Sequence, residues 1–434
     1  MKNKKLLIAL TAVFSVVIFL ATFLLVWYCA AIYPDFKSFE KGIEIPGLKD
    51  GAIPQGMGSC KANYEVKTTG DDGVVNTTNK VQTYFFVSAY MNDKSPSRIY
   101  VTGEDTGYVG YVTLKTESGE DFYGHCGGVA INNNPTSTYY NYYTLWVTGE
   151  GRVYCAKPSE EAVKAKKTIA QEIIEKAAEN GSIQFTSSFN ANCNASFCYY
   201  YDDPSQSSIT YDRLYVGEFY RAGNYETDKT HRLKTPNGYQ NTAFMYEYSV
   251  NTSSKFGLTT LGTNDNVSGD NVVPKINYIF SLPERVQGVA WSDRTTYSAN
   301  NGTLVLSQSY GLSNSHLLCF DYASLTATAK RKKYTEVSEN NYSFAYEGVK
   351  TNDGTQFTNA SLYVYFVDKN DGEAFLNDYS IPSMSEGMCS VTGFQSGSGV
   401  SKKIYVLFES AGKKYSAFTR TRLKNVYSFT PRAK

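Results

Sequence analysis

The residues of this 434-residue chain that could do chemistry are few: three histidines, some carboxylates beside glycine or at strand ends, and a pair of similarly placed glutamines. Glu386 stands in Ser385-Glu386-Gly387-Met388, while Gln55 and Gln287 hold the matching place in Gln55-Gly56-Met57 and Gln287-Gly288-Val289. Glu218 and Glu409 end apolar runs, where an acid is costly to bury unless it is paired or solvated. His125 lies in Gly124-His125-Cys126-Gly127-Gly128, a stretch where backbone can approach closely. Acids and a histidine of this kind could serve as general acid and base, or as ligands of a divalent ion such as calcium, manganese or zinc. Because His125, His231 and His316 are the only histidines, a metal site would have to lean on Glu218, Glu386 and Glu409. Gln308, Tyr90, Tyr220, Tyr310 and Arg221 add hydrogen-bonding and stacking groups suited to a polar ligand. No HExxH, no P-loop, no GxSxG and no strand-borne GxGxxG is present.

What positions these groups is a repeat. Five first-strand starts recur, at Pro54-Gln55-Gly56-Met57, His125-Cys126-Gly127-Gly128-Val129, Asn194-Ala195-Ser196-Phe197, Val286-Gln287-Gly288-Val289 and Ser385-Glu386-Gly387-Met388. Each is followed by a second apolar strand: 86–90, 145–148, 214–220, 304–310 and 404–409. Third strands follow at 98–101, 152–154, 243–246 and 316–319, and fourth strands at 111–114, 183–185 and 278–282. Four strands per repeat without βαβ signals predict an all-β β-propeller. Five blades are counted; the run at 361–366 leaves six as the alternative. The fifth blade runs out of chain after Ser428, and residues 42–45 could supply its missing strand and close the ring. One segment breaks the pattern: Ser159–Asn180 reads as a surface helix inserted in blade 2, capped by Ser159 and stopped by Gly181.

Composition agrees with strands and turns. Aromatic residues make up 15% of the chain, with 37 Tyr and 24 Phe, and the net charge of +1 gives no sign of a nucleic-acid binder. Leu6 to Tyr33 carry no charge, a run long enough to span a bilayer, and Lys2, Lys4 and Lys5 precede it. The expectation is a cytoplasmic tail (1–5), a retained signal-anchor helix (6–33), a linker (34–41) and an extracytoplasmic propeller (42–434) on the cell membrane. Seven cysteines lie beyond the anchor, most within apolar runs; Cys193 and Cys198 are the only close pair, with a disulfide there as one reading.

The unit from Tyr90 to Val101 resembles the strand-loop-strand unit of NHL-type propellers. The Ser-Glu-Gly-Met and Val-Gln-Gly-Val-Ala-Trp starts resemble those of the SMP-30/gluconolactonase propellers, whose likeness implies an axial divalent metal; here only Glu386 matches, with Gln55 and Gln287 where further acids would stand. Runs such as Gly217–Tyr225, Thr235–Gly238, Ser307–Gly311 and Leu407–Ala411 resemble an uncharacterised family of Gram-positive extracytoplasmic propeller-like proteins, a likeness that brings no activity with it.

In a propeller, first-strand starts and second-strand ends converge on one end of the central channel. That places Gln55, His125, Gln287 and Glu386 near Tyr90, Glu218, Tyr220, Gln308, Tyr310 and Glu409, with Arg98, Arg221, His231 and His316 on loops of the same face. Plainer roles stand beside these: tyrosines packing between blades, Arg98 and His316 closing loops, and Glu218 or Glu409 paired with Arg221 or Arg420. Three functions follow: a binding module for a cell-envelope or extracellular ligand such as a carbohydrate or envelope polymer, a metal-dependent lactonase or hydrolase using the same face, and a scaffold for other membrane proteins.

Overall fold

A computed structural model of the chain describes residues 2–29, 33–69, 75–132, 143–201, 212–261, 273–292, 302–338, 358, 361–391, 403–415, 417, 419 and 421–431. It opens with helix α1 (Lys2–Cys29), whose described side chains between Leu10 and Phe23 are exposed all round. Among the described residues no helix is long and apolar enough to cross a membrane; of α1, the side chains described are those of Lys4 and residues 10–23.

Strand β1 (Glu40–Glu44) comes next, then the first blade: β2 (Ala52–Thr69), β3 (Val75–Met91), β4 (Arg98–Gly103) and β5 (Gly107–Lys115), each antiparallel to its neighbour. Blade 2 begins with β6 (Gly128–Ile131), β7 (Leu145–Gly149) and β8 (Arg152–Ala156). Two helices follow, α2 (Glu160–Lys164) and α3 (Ile169–Ala178), where one was expected. Ser159 caps α2 as anticipated, but Lys166 takes a left-handed φ of 58° and Thr168 opens a capping box with Gln171, so the segment restarts as a second helix. The pair departs from blade 2. Ile169, Ile173 and Ala177 bury fully against blade 1, and the Ala177 carbonyl presses on Gly110 of β5, where a Cβ would meet its oxygen at 1.9 Å.

This detour explains a second difference. The strand expected as the fourth of blade 2 is β9 (Ser182–Gln184), which pairs parallel with β5 on the outer edge of blade 1. The fourth strand of blade 2 is β10 (Ser187–Asn190), paired with β8. Blade 3 holds β11 (Ala195–Tyr201), β12 (Arg213–Glu218) and β13 (Ala243–Ser249), then a small ribbon of β14 (Thr260–Leu261) and β15 (Val273–Pro274), then β16 (Ile276–Leu282). Blade 4 holds β17 (Val286–Ser292), β18 (Thr303–Gln308) and β19 (Ser315–Asp321).

Between β19 and its outer partner the chain makes α4 (Tyr322–Leu325), β20 (Lys332–Lys333), α5 (Tyr334–Val337) and β21 (Tyr363–Phe366) before β22 (Phe375–Ile381) completes blade 4. β21 lies parallel to β16 and carries β20, so both strands widen blade 3. The run that offered a sixth blade is therefore an edge strand. Blade 5 consists of β23 (Ser385–Ser390), β24 (Ile404–Phe408) and β25 (Asn425–Phe429), closed by β1 pairing antiparallel with β25. The ring is five-bladed and shut by the N-terminal strand, as the residues around Gly42–Ile45 suggested.

Inner strands β2, β6, β11, β17 and β23 each pack on the next around the axis. They approach closely because side chains are missing where they cross. A Cβ on Gly56 would sit 2.5 Å from the Cα of Gly128, one on Gly128 2.3 Å from the Cys198 nitrogen, and one on Gly387 2.6 Å from the Met57 nitrogen. Aromatic and β-branched side chains fill the wedges between blades, with Trp291 stacked on Tyr215 at 4.2 Å and Trp146 donating from its indole to the Phe256 carbonyl at 2.8 Å. The seven cysteines beyond α1 are free thiols, Cys193 and Cys198 included, so no disulfide joins that pair.

Candidate functional site

Four inner strands begin with a β-bulge, at Pro54/Gly56, Ala195/Phe197, Val286/Gly288 and Ser385/Met388. A bulge leaves a residue unpaired and turns its side chain out of the ladder. The bulged positions carry Gln55, Ser196, Gln287 and Glu386. Three of them meet at the mouth of the channel together with Glu409, which directly follows β24. The Gln55 amide donates to Glu409 Oε2 at 3.0 Å and the Gln287 amide faces Glu386 Oε1 at 3.5 Å, while the two carboxyl groups lie in mutual hydrogen-bond contact. The result is a string of four side chains, Gln55–Glu409–Glu386–Gln287, running across blades 1, 5 and 4.

Its electrostatics follow from burial. Glu386 and Glu409 are 4% and 7% exposed, and no described cation lies within ion-pair distance of either. Desolvation lifts both carboxyl pKa values; the neighbouring Glu409 charge lifts Glu386 further, whereas hydrogen bonds from Glu386 and Gln55 and the Lys414 charge restrain Glu409. The pair therefore holds protons to higher pH than free carboxyl groups do.

Tyr90 and His125 flank this string, their rings 4.5 Å apart. Lys414, from the loop after β24, donates to the Tyr90 hydroxyl at 3.1 Å and lies over the rings of Tyr90 and Tyr415, at 5.5 and 5.0 Å. Crowding by its neighbours and the Lys414 charge draw the His125 imidazole down to about 4, although the residue as a whole is exposed. Burial and the nearby Glu409 raise the Tyr415 hydroxyl. Lys414 and Tyr415 sit in Gly412-Lys413-Lys414-Tyr415, a stretch without motif or periodicity, and sequence reasoning passed over both.

The remaining expected site residues are held elsewhere. Glu218 and Glu409 read as equivalent, but Glu218 pairs with Ala195 whereas Glu409 comes one residue after the Phe408–Ser385 pair. One residue of offset turns the side chain to the opposite face. Glu218 accordingly points into the wedge between blades 2 and 3, where it accepts from His231 Nδ1 at 2.7 Å, the Phe244 N–H at 2.9 Å and the Asn194 N–H at 3.4 Å. This buried pair floors a cavity of about 480 Å³ whose walls include Glu150, Arg152, Asn190 and Asp228.

Arg221 stacks on Tyr310, its guanidinium 3.7 Å from the ring centre, and donates to the Tyr310 hydroxyl, tying the rim of blade 3 to blade 4. Tyr220 is buried under Arg232, Gln308 closes a turn by donating to the Glu284 carbonyl at 2.8 Å, and Arg98 spans Tyr100 and Tyr111. His316 bonds Asp378 on outer strand β22 at 2.8 Å. Arg420, the other partner considered for Glu409, lies outside the described residues.

The arrangement also bears on a metal. Among the described residues no three of His, Cys, Asp and Glu gather where they could hold an ion. Of the four candidate ligands Glu218 is in another wedge, and the amides of Gln55 and Gln287 turn N–H rather than oxygen toward the carboxylates.

No protein-family model and no curated protein matches the chain. Solved structures that resemble it include the PQQ-bound aldose sugar dehydrogenase from Streptomyces coelicolor (TM-score 0.34, 10% identity, 90% of this chain and 96% of that one). The Dos1 propeller (TM-score 0.27, 10% identity, 90% and 87%) and a GH43_1 enzyme from Xanthomonas citri (TM-score 0.33, 10% identity, 88% and 92%) are two others. All three scores are low, and the blade count rests on the strand pairing described above.

Proposed function

We propose that the propeller binds a polar ligand from the cell envelope or the extracellular medium at the channel mouth. One observation carries this reading: two buried carboxyl groups and two amides from three blades converge on one point at the end of the axis. Sequestering acids costs folding free energy, and a mouth that does so offers a ligand preorganised hydrogen-bond partners. Flanking tyrosines add faces on which a sugar ring can stack. The test is a panel of glycans and envelope polymers presented to the full chain and to its Gln55→Ala and Gln287→Ala variants. Binding that both variants retain unchanged would refute the site.

The same proposal includes a membrane tether. Its support is the uncharged run from Leu6 to Tyr33 behind three lysines, and the exposed apolar side chains of α1, among them Phe14, Phe19 and Phe23. Carbonate-resistant recovery in the membrane fraction is expected; quantitative release would remove the tether from the reading.

A second reading is an acid–base hydrolase, and one observation favours it: Glu409 is raised to about 7, the range suited to proton transfer. Glycosidic cleavage fits poorly, because its two carboxyl groups stand about 5 Å or more apart to flank the bond, and here they touch. Lactones and esters are the substrates to screen, with Glu409→Gln expected to abolish any turnover.

A further inference from the structure

The loop after β24 shows which ligand group suits the mouth. Lys414 is exposed and has no carboxylate within ion-pair distance among the described residues, yet its ammonium lies over the Tyr415 ring at 5.0 Å and bonds the Tyr90 hydroxyl at 3.1 Å. A cation on aromatic faces beside buried acids has the surroundings of an ammonium-binding pocket. Behind it lie Glu409, within the field of the same charge, and next to it Glu386 and the Gln55 and Gln287 amides. We propose that the group recognised at the mouth is a primary ammonium on the ligand, and that Lys414 stands in its place when the ligand is absent.

This inference rests on the binding reading above and narrows it to amine-bearing molecules, amino sugars in particular. The proton balance is explicit. In the free chain burial holds protons on Glu386 and Glu409; on binding, the ligand's ammonium brings the positive charge, the protons held by the pair leave to solvent, and both carboxylates accept from the ligand's N–H groups. No covalent bond changes. The groups facing the pair are Gln55 from β2, Tyr90 from β3, Gln287 from β17, Lys414 and Tyr415 from the loop, and His125 ahead of β6, which is neutral near pH 6 and does not compete as a cation. Lys414 lowers apparent affinity by occupying the rings, so removing it releases that competition.

The experiment is calorimetric titration of the detergent-solubilised full chain with glucosamine, glucose and n-butylamine hydrochloride at pH 6, in two buffers of different ionisation enthalpy. Glucosamine is expected to bind about tenfold or more tighter than glucose, with net proton release on binding. Lys414→Ala, a change at an exposed side chain, is expected to tighten glucosamine by about fivefold or more. Equal affinity for glucose and glucosamine, or no proton release, would overturn the ammonium assignment; if that binding still falls in Gln55→Ala, the mouth itself stands. An unchanged affinity in Lys414→Ala would overturn the stand-in role. Silence toward all three probes in both proteins would overturn the inference, and the binding reading would fall with it only if the glycan and polymer panel were silent too.

Discussion

Replacing Glu409 by Gln should change how stability depends on pH, by an amount the site geometry fixes. Glu409 is raised from 4.5 to about 7 in the folded chain, so between those values the native state holds a proton that the unfolded chain has released. The sign follows: stability supplied by this group is full below pH 4.5 and is lost as pH climbs toward 7. At about 1.4 kcal/mol per pH unit the loss reaches roughly 3 kcal/mol by neutrality. Glu386 is raised as well and adds its own slope to both proteins, while His125, drawn down to about 4, acts in the opposite sense as pH falls. The His125 term is common to wild type and variant, but part of the Glu386 rise comes from Glu409 itself, so the difference between the two curves reports the carboxyl pair. Guanidinium unfolding of the detergent-solubilised chain, followed by emission from buried Trp146 and Trp291, gives both curves. The Glu409→Gln protein should lose stability more slowly from pH 5 to 7, by about one proton's slope. Parallel curves across that range would refute the raised Glu409 carboxyl.

Three further outcomes follow from packing. Gly387→Ala places a Cβ 2.6 Å from the Met57 nitrogen and 2.8 Å from the Gln55 oxygen, so it should destabilise by about 1–3 kcal/mol or more, whereas Gly372→Ala, with open space around it, should leave the melting temperature unchanged. Glu218→Gln keeps one oxygen for the His231 and Phe244 N–H groups but turns its NH2 against the Asn194 N–H and removes the charge, and should cost about 1–3 kcal/mol in denaturant unfolding. Phe39→Ala removes a ring stacked on Phe429 at 4.6 Å where the ring of blades closes, and a loss of about 3–5 kcal/mol is expected by the same measurement.

The sequence carried the repeat because inner strands are marked by a local device, a polar residue at the bulge, followed by glycine in three starts and by Phe197 in the fourth, and that device survives without any match in the loops. It carried the closing strand for a similar reason: blade 5 lacked a partner and β1 was the unassigned strand beside it. Strand β9 was misplaced because two helices carry the chain back to blade 1, a tertiary excursion with no local signature. Glu218 and Glu409 looked alike because an acid ends both runs, and only the pairing register reveals that one residue separates their faces. Lys414 and Tyr415 were illegible for another reason: their role depends on where an irregular loop settles, and periodicity does not describe irregular loops.

Ring closure by β1 has a mechanical side. The strand is five residues long and is held to β25 by its ladder, by the Ile45 amide on the Lys424 carbonyl at 2.9 Å, and by Phe36 and Phe39 against Tyr427 and Phe429. A pull on α1 reaches the domain through these contacts before any other blade bears load. The first rupture in a force-extension trace taken from the N-terminus should therefore be the release of β1, and a trace whose first event is as large as a whole blade would contradict this. Tension at the N-terminus and integrity of the ring are thus coupled through a single short strand, which works as a latch.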